Sequence, residues 1–417
     1  MSSLLLKNVI LDGSRKDVFV ADGFFREIAD CISLPAAEVI DAGGALSIHP
    51  PFYNAHTHAA MTLLRGYADD FELFRWLSEY IWPAEARMTE EAVYHGTRLA
   101  ILEMIHSGTV FFNDMYWHQR AALRAAEEMG VRACIGMLQL SNPDPAMRGK
   151  LDNEWLWERR AQLPSRIQLA YAPHAIYTVS GAVLRRTAEL ARENNAWIHI
   201  HLAETEKEFS DSRKEHGMTP TEYLDSLGLL TERTLCAHAV WMTDSDLDRI
   251  ASRASVLVHM PVSNMKLGSG AFPYERARKA GCRLALGTDG VSSNNNLSML
   301  EEMKFAALLA KHGASSPEVL PADAVFHMAT AAGADAFAIP AGKIEAGLEA
   351  DCMLVRRDNV RMVPDHHSIS NLVYSADSSC VDTVLCQGRI LMRSGRIPGE
   401  EEIIEEARRA AAALALK

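Results

Sequence analysis

Short apolar runs bounded by glycine and polar residues fill the first fifty positions: Leu4–Leu6, Val18–Val20 and Ala45–Ile48, broken by Asp-Gly and Gly-Gly pairs. Such pairs supply the positive φ angles of tight hairpin turns, so a few antiparallel strands are predicted here. From about residue 51 short apolar strands alternate with amphipathic helical stretches, the pattern of repeated strand–helix units around a parallel sheet. Eight strands are predicted, over 51–58, 109–115, 132–139, 167–174, 197–203, 234–240, 255–260 and 283–289. Helices are predicted between most of them, for example 89–106, with Thr89 as N-cap and Gly108 as stop, and 180–194. After about 350 the turn-rich β texture returns (Asp351–Arg356, Val381–Leu385, Gly388–Met392), and an alanine-rich helix over 399–415 ends the chain.

Eight strands with helices between them match an α/β fold of the TIM type, a (β/α)8 barrel. The two β-rich ends are expected to pair into one small β-sandwich domain. The expected organisation is therefore 1–50 as its first part, 51–350 as the (β/α)8 barrel, and 351–417 as its second part plus the C-terminal helix.

Composition narrows the partners. A net charge of −12 with no Lys/Arg run argues against a polyanion, so no nucleic acid partner is expected. Seven scattered cysteines, odd in number and without C-x-x-C spacing, suit free thiols in a reducing compartment. No apolar stretch is long enough to span a bilayer, and Met-Ser-Ser-Leu-Leu-Leu-Lys does not read as a signal peptide. A cytoplasmic protein without a membrane partner is expected.

The chemistry is carried by the strand ends. In His56-Thr57-His58, residues two apart on a strand point to the same side, so two imidazoles leave one short element toward one point. They close the first strand, at the rim where barrels of this type keep their chemistry. His199 and His201 share a face of the fifth strand, and Glu204 follows as it runs out. His238 closes the sixth strand, Asp289 the eighth in Gly-Thr-Asp-Gly, and His174 the fourth in Ala-Pro-His. Singly, each has an ordinary explanation: a strand-end histidine can be a satisfied buried polar group, and Asp before Gly is a common turn residue. Convergence changes the reading, because a barrel brings all its strand ends to one rim. His56, His58, His201 and Asp289 then give nitrogen and oxygen ligands for one divalent metal, Zn²⁺ foremost, with Fe²⁺ or Mn²⁺ as alternatives. His199, deeper in the strand than His201, is expected to pack or hydrogen-bond beneath the metal.

The runs N-A-H-T-H-A-A-M-T-L-L-R-G (54–66), H-L-A-E-T (201–205), G-T-D-G-V-S-S-N-N-N-L (287–297) and N-L-V-Y-S-A (371–376) resemble the amidohydrolase superfamily. Within it, the chain resembles the branch of methylthioadenosine/S-adenosylhomocysteine deaminases and related adenosine deaminases, over nearly its whole length. The resemblance implies a mononuclear metal held by His56, His58, His201 and Asp289, and catalytic roles for Glu204 and His238. Binuclear relatives use a carboxylated lysine from the fourth strand, and 167–174 contains no lysine. The implied reaction is attack of water on an adenine carbon followed by loss of ammonia. His238 and Asp289 would orient the water, Asp289 would take its proton, and Glu204 would protonate the ring nitrogen and then the leaving amine. Trp76 and Glu85 match a family Trp and Glu that serve the nucleoside, His174 would contact ring or ribose, and Arg148 stands where a second family arginine is expected.

One departure bears on substrate. Relatives that take S-adenosylhomocysteine carry an arginine near the end of the third strand, and Met137 stands about where it would be. Adenosine or 5′-methylthioadenosine is therefore the expected substrate, and the bulky pair Trp117-His118 is expected to trim the pocket further. The family resemblance also implies a homo-oligomer. Alternatives are a deaminase or chlorohydrolase of a guanine-like or triazine ring on the same fold, a cyclic-amide hydrolase, and a non-catalytic scaffold. Glu204 counts against some triazine chlorohydrolases, the missing lysine against the binuclear hydrolase, and the intact set of site residues against the scaffold.

Overall fold

The computed structural model describes residues 3–143 and 145–415. Its centre is a parallel sheet of eight strands: β1 (Phe52–Thr57), β2 (Thr109–Asp114), β3 (Arg132–Gln139), β4 (Ile167–Pro173), β5 (Trp197–Leu202), β6 (Thr234–His238), β7 (Val256–His259) and β8 (Arg283–Leu286). Each strand pairs with the next in sequence order. The ring closes where the N–H groups of Thr288 and Asp289, just past β8, donate to His56 O in β1 at 3.2 and 3.1 Å. All eight predicted strands are present, each ending within a few residues of its predicted limit. Every residue of β1, β2, β5, β6 and β7 is buried, as expected for strands covered on both faces.

Local sequence sets the helices around this ring. Thr89 caps Glu90–His106 by accepting from the Ala92 N–H at 3.1 Å, and Gly108 follows with φ +88°. The second helix predicted in detail is observed over Gly181–Asn194. Between β1 and Glu90 the chain forms a helical segment from Leu73 to Arg87, interrupted by a π turn at Leu77–Ile81. No described helix is long and apolar enough to cross a membrane.

A second sheet joins both chain ends. Ser3–Leu11, Ser14–Ala21, Phe24–Ala29, Glu38–Asp41 and Leu46–His49 come from the first, and Cys352–Arg356, Val381–Cys386 and Arg389–Met392 from the second. The two contributions meet in antiparallel register, with Met353 opposite His49 and Leu354 opposite Ile48. This sheet has its own apolar core, including Leu6, Val18, Phe25, Ile48 and Leu354. A buried ionic knot ties it to the barrel. Arg132, opening β3, donates to Asp351 through Nε (2.6 Å) and Nη2 (3.0 Å) and also binds Glu349, while Tyr53 Oη and Gln387 N donate to Asp351 at 2.8 and 2.7 Å. The C-terminal helix Glu400–Ala415 lies on the barrel helix Glu90–His106, with Arg98 bonded to Glu406 at 2.5 Å.

Candidate active site

The strand ends bring His56, His58, His201 and Asp289 to one point. His56 Nε2 and His58 Nε2 each lie 3.3 Å from Asp289 Oδ1, and His201 Nε2 lies 3.4 Å from His58 Nε2. The opposite ring nitrogens are engaged elsewhere. His58 Nδ1 donates to Met115 O at 2.6 Å, His201 Nδ1 to His174 O at 2.7 Å, and His56 Nδ1 is 2.6 Å from His199 Nε2. Outer bonds of this kind fix the tautomer and turn each Nε2 lone pair inward. His199 thus sits beneath the cluster as a support for His56. Asp289 is oriented the same way: Ser263 and Ser293 donate to its Oδ2 at 2.6 and 2.8 Å, leaving Oδ1 to face the imidazoles.

His56 Nε2 is buried and has no hydrogen-bond partner. An orphaned polar atom of that kind is costly unless something occupies its lone pair. His56, His58 and Asp289 offer ligand atoms within 4.8 Å of one another, as do His56, His201 and His238. Neutral imidazoles around one carboxylate, aimed at a common centre, fit a divalent cation. β4 carries no lysine that would bridge a second one.

The electrostatics agree with that donor set. Burial pushes the His56 imidazole down to about 4 and holds His201 well below its ordinary value. His174 is pushed to about 3, first by burial and then by neighbouring imidazoles. These rings are therefore neutral near pH 7, the form that has a lone pair to give. Burial alone would raise Asp289, but the His56 imidazole beside it and the other surrounding imidazoles hold it well below the usual carboxylate range. Glu204 moves upward, chiefly through burial, with His238 pulling the other way. For His238, burial would lower the value, yet the Glu204 and Asp289 carboxylates outweigh it and raise it.

Strained backbone clusters where these side chains emerge. Ala203, His238 and Asp289 have φ of +49°, +70° and +61°, uncommon for residues with a Cβ and typical of sites that surrounding structure over-determines. Gly287 is required by space: a Cβ there would lie 2.8 Å from His56 N. Glu204 is set by Glu208, whose two carboxylate oxygens accept the N–H groups of Ala203 (2.8 Å) and Glu204 (2.9 Å). Its own carboxylate accepts from Ser269 Oγ at 3.3 Å and lies 3.7 Å from His238 Nε2, while His238 Nδ1 meets Asn264 Oδ1 at 2.9 Å. Sequence reasoning missed Glu208, Ser263, Asn264, Ser269 and Ser293 as partners. Ser263-Asn264 did carry a signal, since that pair lies in the short helix Pro261–Lys266 just beyond the seventh strand, on the same rim as the other polar residues.

A cavity of about 750 Å³ opens over the cluster. Trp76, Glu85 and His174 all line it. The Trp76 indole donates to Ala68 O at 3.0 Å, which fixes the ring as a wall, and His174 Nδ1 meets Thr178 Oγ1 at 2.9 Å. Glu85 is only 5% exposed, and burial raises its carboxyl against the opposing pull of the Trp117 indole, which donates to it at 3.3 Å. Arg148 is not brought to the site: it is exposed on the short helix Pro145–Arg148, off the cavity wall. Met137 is also displaced from its expected place. It is buried in the packing outside the cavity, and its neighbour Leu138, with Leu140, faces inward instead. Trp117 lines the cavity and His118 does not. Among the described lining residues there is no arginine or lysine.

Comparison with known proteins agrees with this geometry. The model of the amidohydrolase family matches residues 47–391. The chain is 48% identical to 5-methylthioadenosine/S-adenosylhomocysteine deaminase 1 of Archaeoglobus fulgidus, over 89% of each chain. It is 46% identical to 5′-deoxyadenosine deaminase of Methanospirillum hungatei, over 98% of this chain and 93% of that one. Among solved structures, an adenosine deaminase from Xanthomonas campestris with bound zinc superposes with a TM-score of 0.92 at 31% identity, covering 100% of this chain and 98% of the other. The closed parallel barrel, the converging histidines and these matches lead to one conclusion: the chain belongs to the amidohydrolase family.

Proposed function

We propose that the protein is a metal-dependent hydrolytic deaminase of adenine nucleosides, releasing ammonia and leaving the inosine-type product. The observation that carries this is the joint placement of Glu204, His238 and the His56/His58/His201/Asp289 cluster at the floor of a cavity walled by Trp76 and Glu85. Relatives named as deaminases of methylthioadenosine, S-adenosylhomocysteine and 5′-deoxyadenosine support it. His56, His58, His201 and Asp289 would hold the cation, for which Zn²⁺ is the proposed identity. When bound, such a cation supplies a Lewis acid that brings the pKa of water from near 16 to about 7.

The protein's own groups do the rest. His238 and Asp289 orient the attacking water, and Asp289 accepts its proton. Burial moves the Glu204 carboxyl upward, toward the protonated form. It gives its proton to the ring nitrogen, then as a carboxylate takes the remaining proton of the new C–OH group and passes it to the departing amine. The proton held by Asp289 restores Glu204. Trp76 supplies a flat apolar wall for the base. Glu85 accepts from the ribose hydroxyls, and His174 contacts ring or ribose. Because no arginine or lysine lines the cavity among the described residues, the amino-acid carboxylate of S-adenosylhomocysteine finds no paired cation. Adenosine and 5′-methylthioadenosine are the favoured substrates on that ground.

The division into a catalytic barrel (51–350) and a small domain built from 1–50 and 351–417 belongs to the same reading, supported by the two separate sheets. So do a cytoplasmic location, supported by seven free cysteines, and a homo-oligomeric state. The deciding experiment is ammonia release from metal-loaded enzyme across adenosine, 5′-methylthioadenosine, S-adenosylhomocysteine, guanine and a triazine. Turnover of the first two, with S-adenosylhomocysteine at least about tenfold lower in kcat/KM for want of its ion pair, is expected. Activity confined to guanine or the triazine overturns the assignment.

A further inference from the structure

Lys150 lies off the cavity, in the loop between β3 and β4, and its ammonium meets three backbone carbonyls at once. Nζ donates to Glu85 O, Ala86 O and Met88 O, each at 2.8 Å. An ammonium has three protons, so these bonds use all of them. Ala86 O and Met88 O stand at the helix C-terminus, where a helix leaves carbonyls without partners, while Glu85 O also accepts from the Met88 N–H at 3.0 Å. A cation there meets the negative end of the dipole.

Two further contacts close a ring around Glu85. His118 N–H, in the loop after β2, donates to Lys150 O at 2.7 Å. Its chain neighbour Trp117 donates its indole N–H to Glu85 Oε2 at 3.3 Å. Glu85 is therefore gripped at its main chain from the loop after β3 and at its carboxylate from the loop after β2, while its own helix comes from the loop after β1. That helix needs outside support, because Glu85 follows the π turn at Leu77–Ile81, where the regular bonding ladder is interrupted. The Trp117 indole bonds Oε2, the neighbouring Tyr116 hydroxyl also bears on the carboxylate, and the group lines the cavity in which a ligand hydroxyl would meet it.

We propose that Lys150 is a positioning residue for nucleoside recognition, aiming the Glu85 carboxylate at the ribose hydroxyls through this three-loop ring. The proposal rests on the reading of Glu85 as the ribose acceptor. A tether that only stabilised a helix end would lower activity on every substrate alike. A tether that aims Glu85 affects only substrates with hydroxyls for Glu85 to bind.

The test is steady-state kinetics of metal-loaded unaltered enzyme, Lys150→Met and Glu85→Gln on adenosine and on 2′,3′-dideoxyadenosine, which lacks both hydroxyls. Lys150→Met should raise KM for adenosine about tenfold, the scale of one weakened charge-assisted hydrogen bond, with kcat within about twofold. Its KM for dideoxyadenosine should not change. Glu85→Gln should show the same dependence on the hydroxyls. If Glu85→Gln acts equally on both nucleosides, the reading of Glu85 itself fails. If Glu85→Gln discriminates while Lys150→Met changes neither substrate, or both alike, the positioning role is overturned. Should Lys150→Met not fold, Lys150→Arg keeps a cation at the helix end but presents a planar fork in place of three convergent protons. It should raise KM for adenosine alone, by about threefold, and an equal effect on both nucleosides, or none, overturns the proposal.

Discussion

Replacing Asp351 with asparagine should weaken the fold while sparing the chemistry. Asp351 is fully buried and accepts from Arg132 Nε, Arg132 Nη2, Tyr53 Oη and Gln387 N, and the Arg132 side chain is itself only 3% exposed. Asparagine keeps the shape but removes the charge and turns an NH₂ group toward donors. Breaking a buried ion pair on one side costs roughly 3–5 kcal/mol, because the surviving charge is left uncompensated. Glu349 remains beside Arg132 and offsets part of this, which favours the low end, about 3 kcal/mol. With an unfolding entropy of about 2.1 cal/mol/K per residue over the whole chain, that loss lowers the melting temperature by about 3–4 °C. The assay is a thermal melt of metal-loaded protein, with kcat/KM for adenosine measured in parallel at 25 °C. Because the knot lies at the opposite end of the barrel from the strand-end cluster, kcat/KM should stay within about twofold. A fall in melting temperature below about 1 °C would refute the argument that this knot joins the two sheets energetically.

Glu204→Gln should retain metal and lose about 10²- to 10⁴-fold in kcat. Metal analysis with turnover on the same sample checks this, and normal turnover in a metal-replete variant sinks the assignment. Removing the support under His56 with His199→Ala should weaken metal affinity by about 10- to 100-fold, read by competition with a chelator; unchanged affinity would mean that His199 is mere packing. Burial holds His49 down to about 4 against its ordinary 6.5. The folded protein thus binds fewer protons than the unfolded chain between these values, so this contribution is full above about pH 6.5 and is lost as pH falls toward 4. His49→Gln should recover about 2 kcal/mol of the unfolding free energy lost between pH 7 and pH 5, and an equal loss in variant and parent rules the explanation out.

The barrel was readable because its strands are continuous apolar runs closed by polar residues, and the rim residues because they stand at those closures. His56 and His58 share one side by strand alternation alone, and Asp289 and His238 needed only the knowledge that strand ends converge. Residue-by-residue register was harder. Placing Met137 on the cavity was off by one, and on a strand one position changes the face, so Leu138 occupies the wall instead. Arg148 ends a four-residue helix, too short for periodicity to fix its direction. Ser263 and Lys150 act through contacts between separate segments, whose partners cannot be read from spacing along the chain. Glu208 and Ser293, by contrast, stand four residues past Glu204 and Asp289, local spacings that the sequence reading did not use.

The main-chain oxygen of His56 completes the ring of strands, and its imidazole faces Asp289. Thr57, the residue between the paired histidines, bonds to Asp289 O across 232 positions of chain at 3.1 Å. During synthesis the paired histidines therefore wait for their carboxylate until more than two hundred further residues have been made, Thr57 and Asp289 being 232 positions apart. A partly wound intermediate lacks the complete set of donors, so a cation that binds only the finished circle favours completion over every earlier stage by mass action. Loading with metal is then also a reward for correct assembly, and enzyme stripped of its ion should come apart first along the join between β1 and β8.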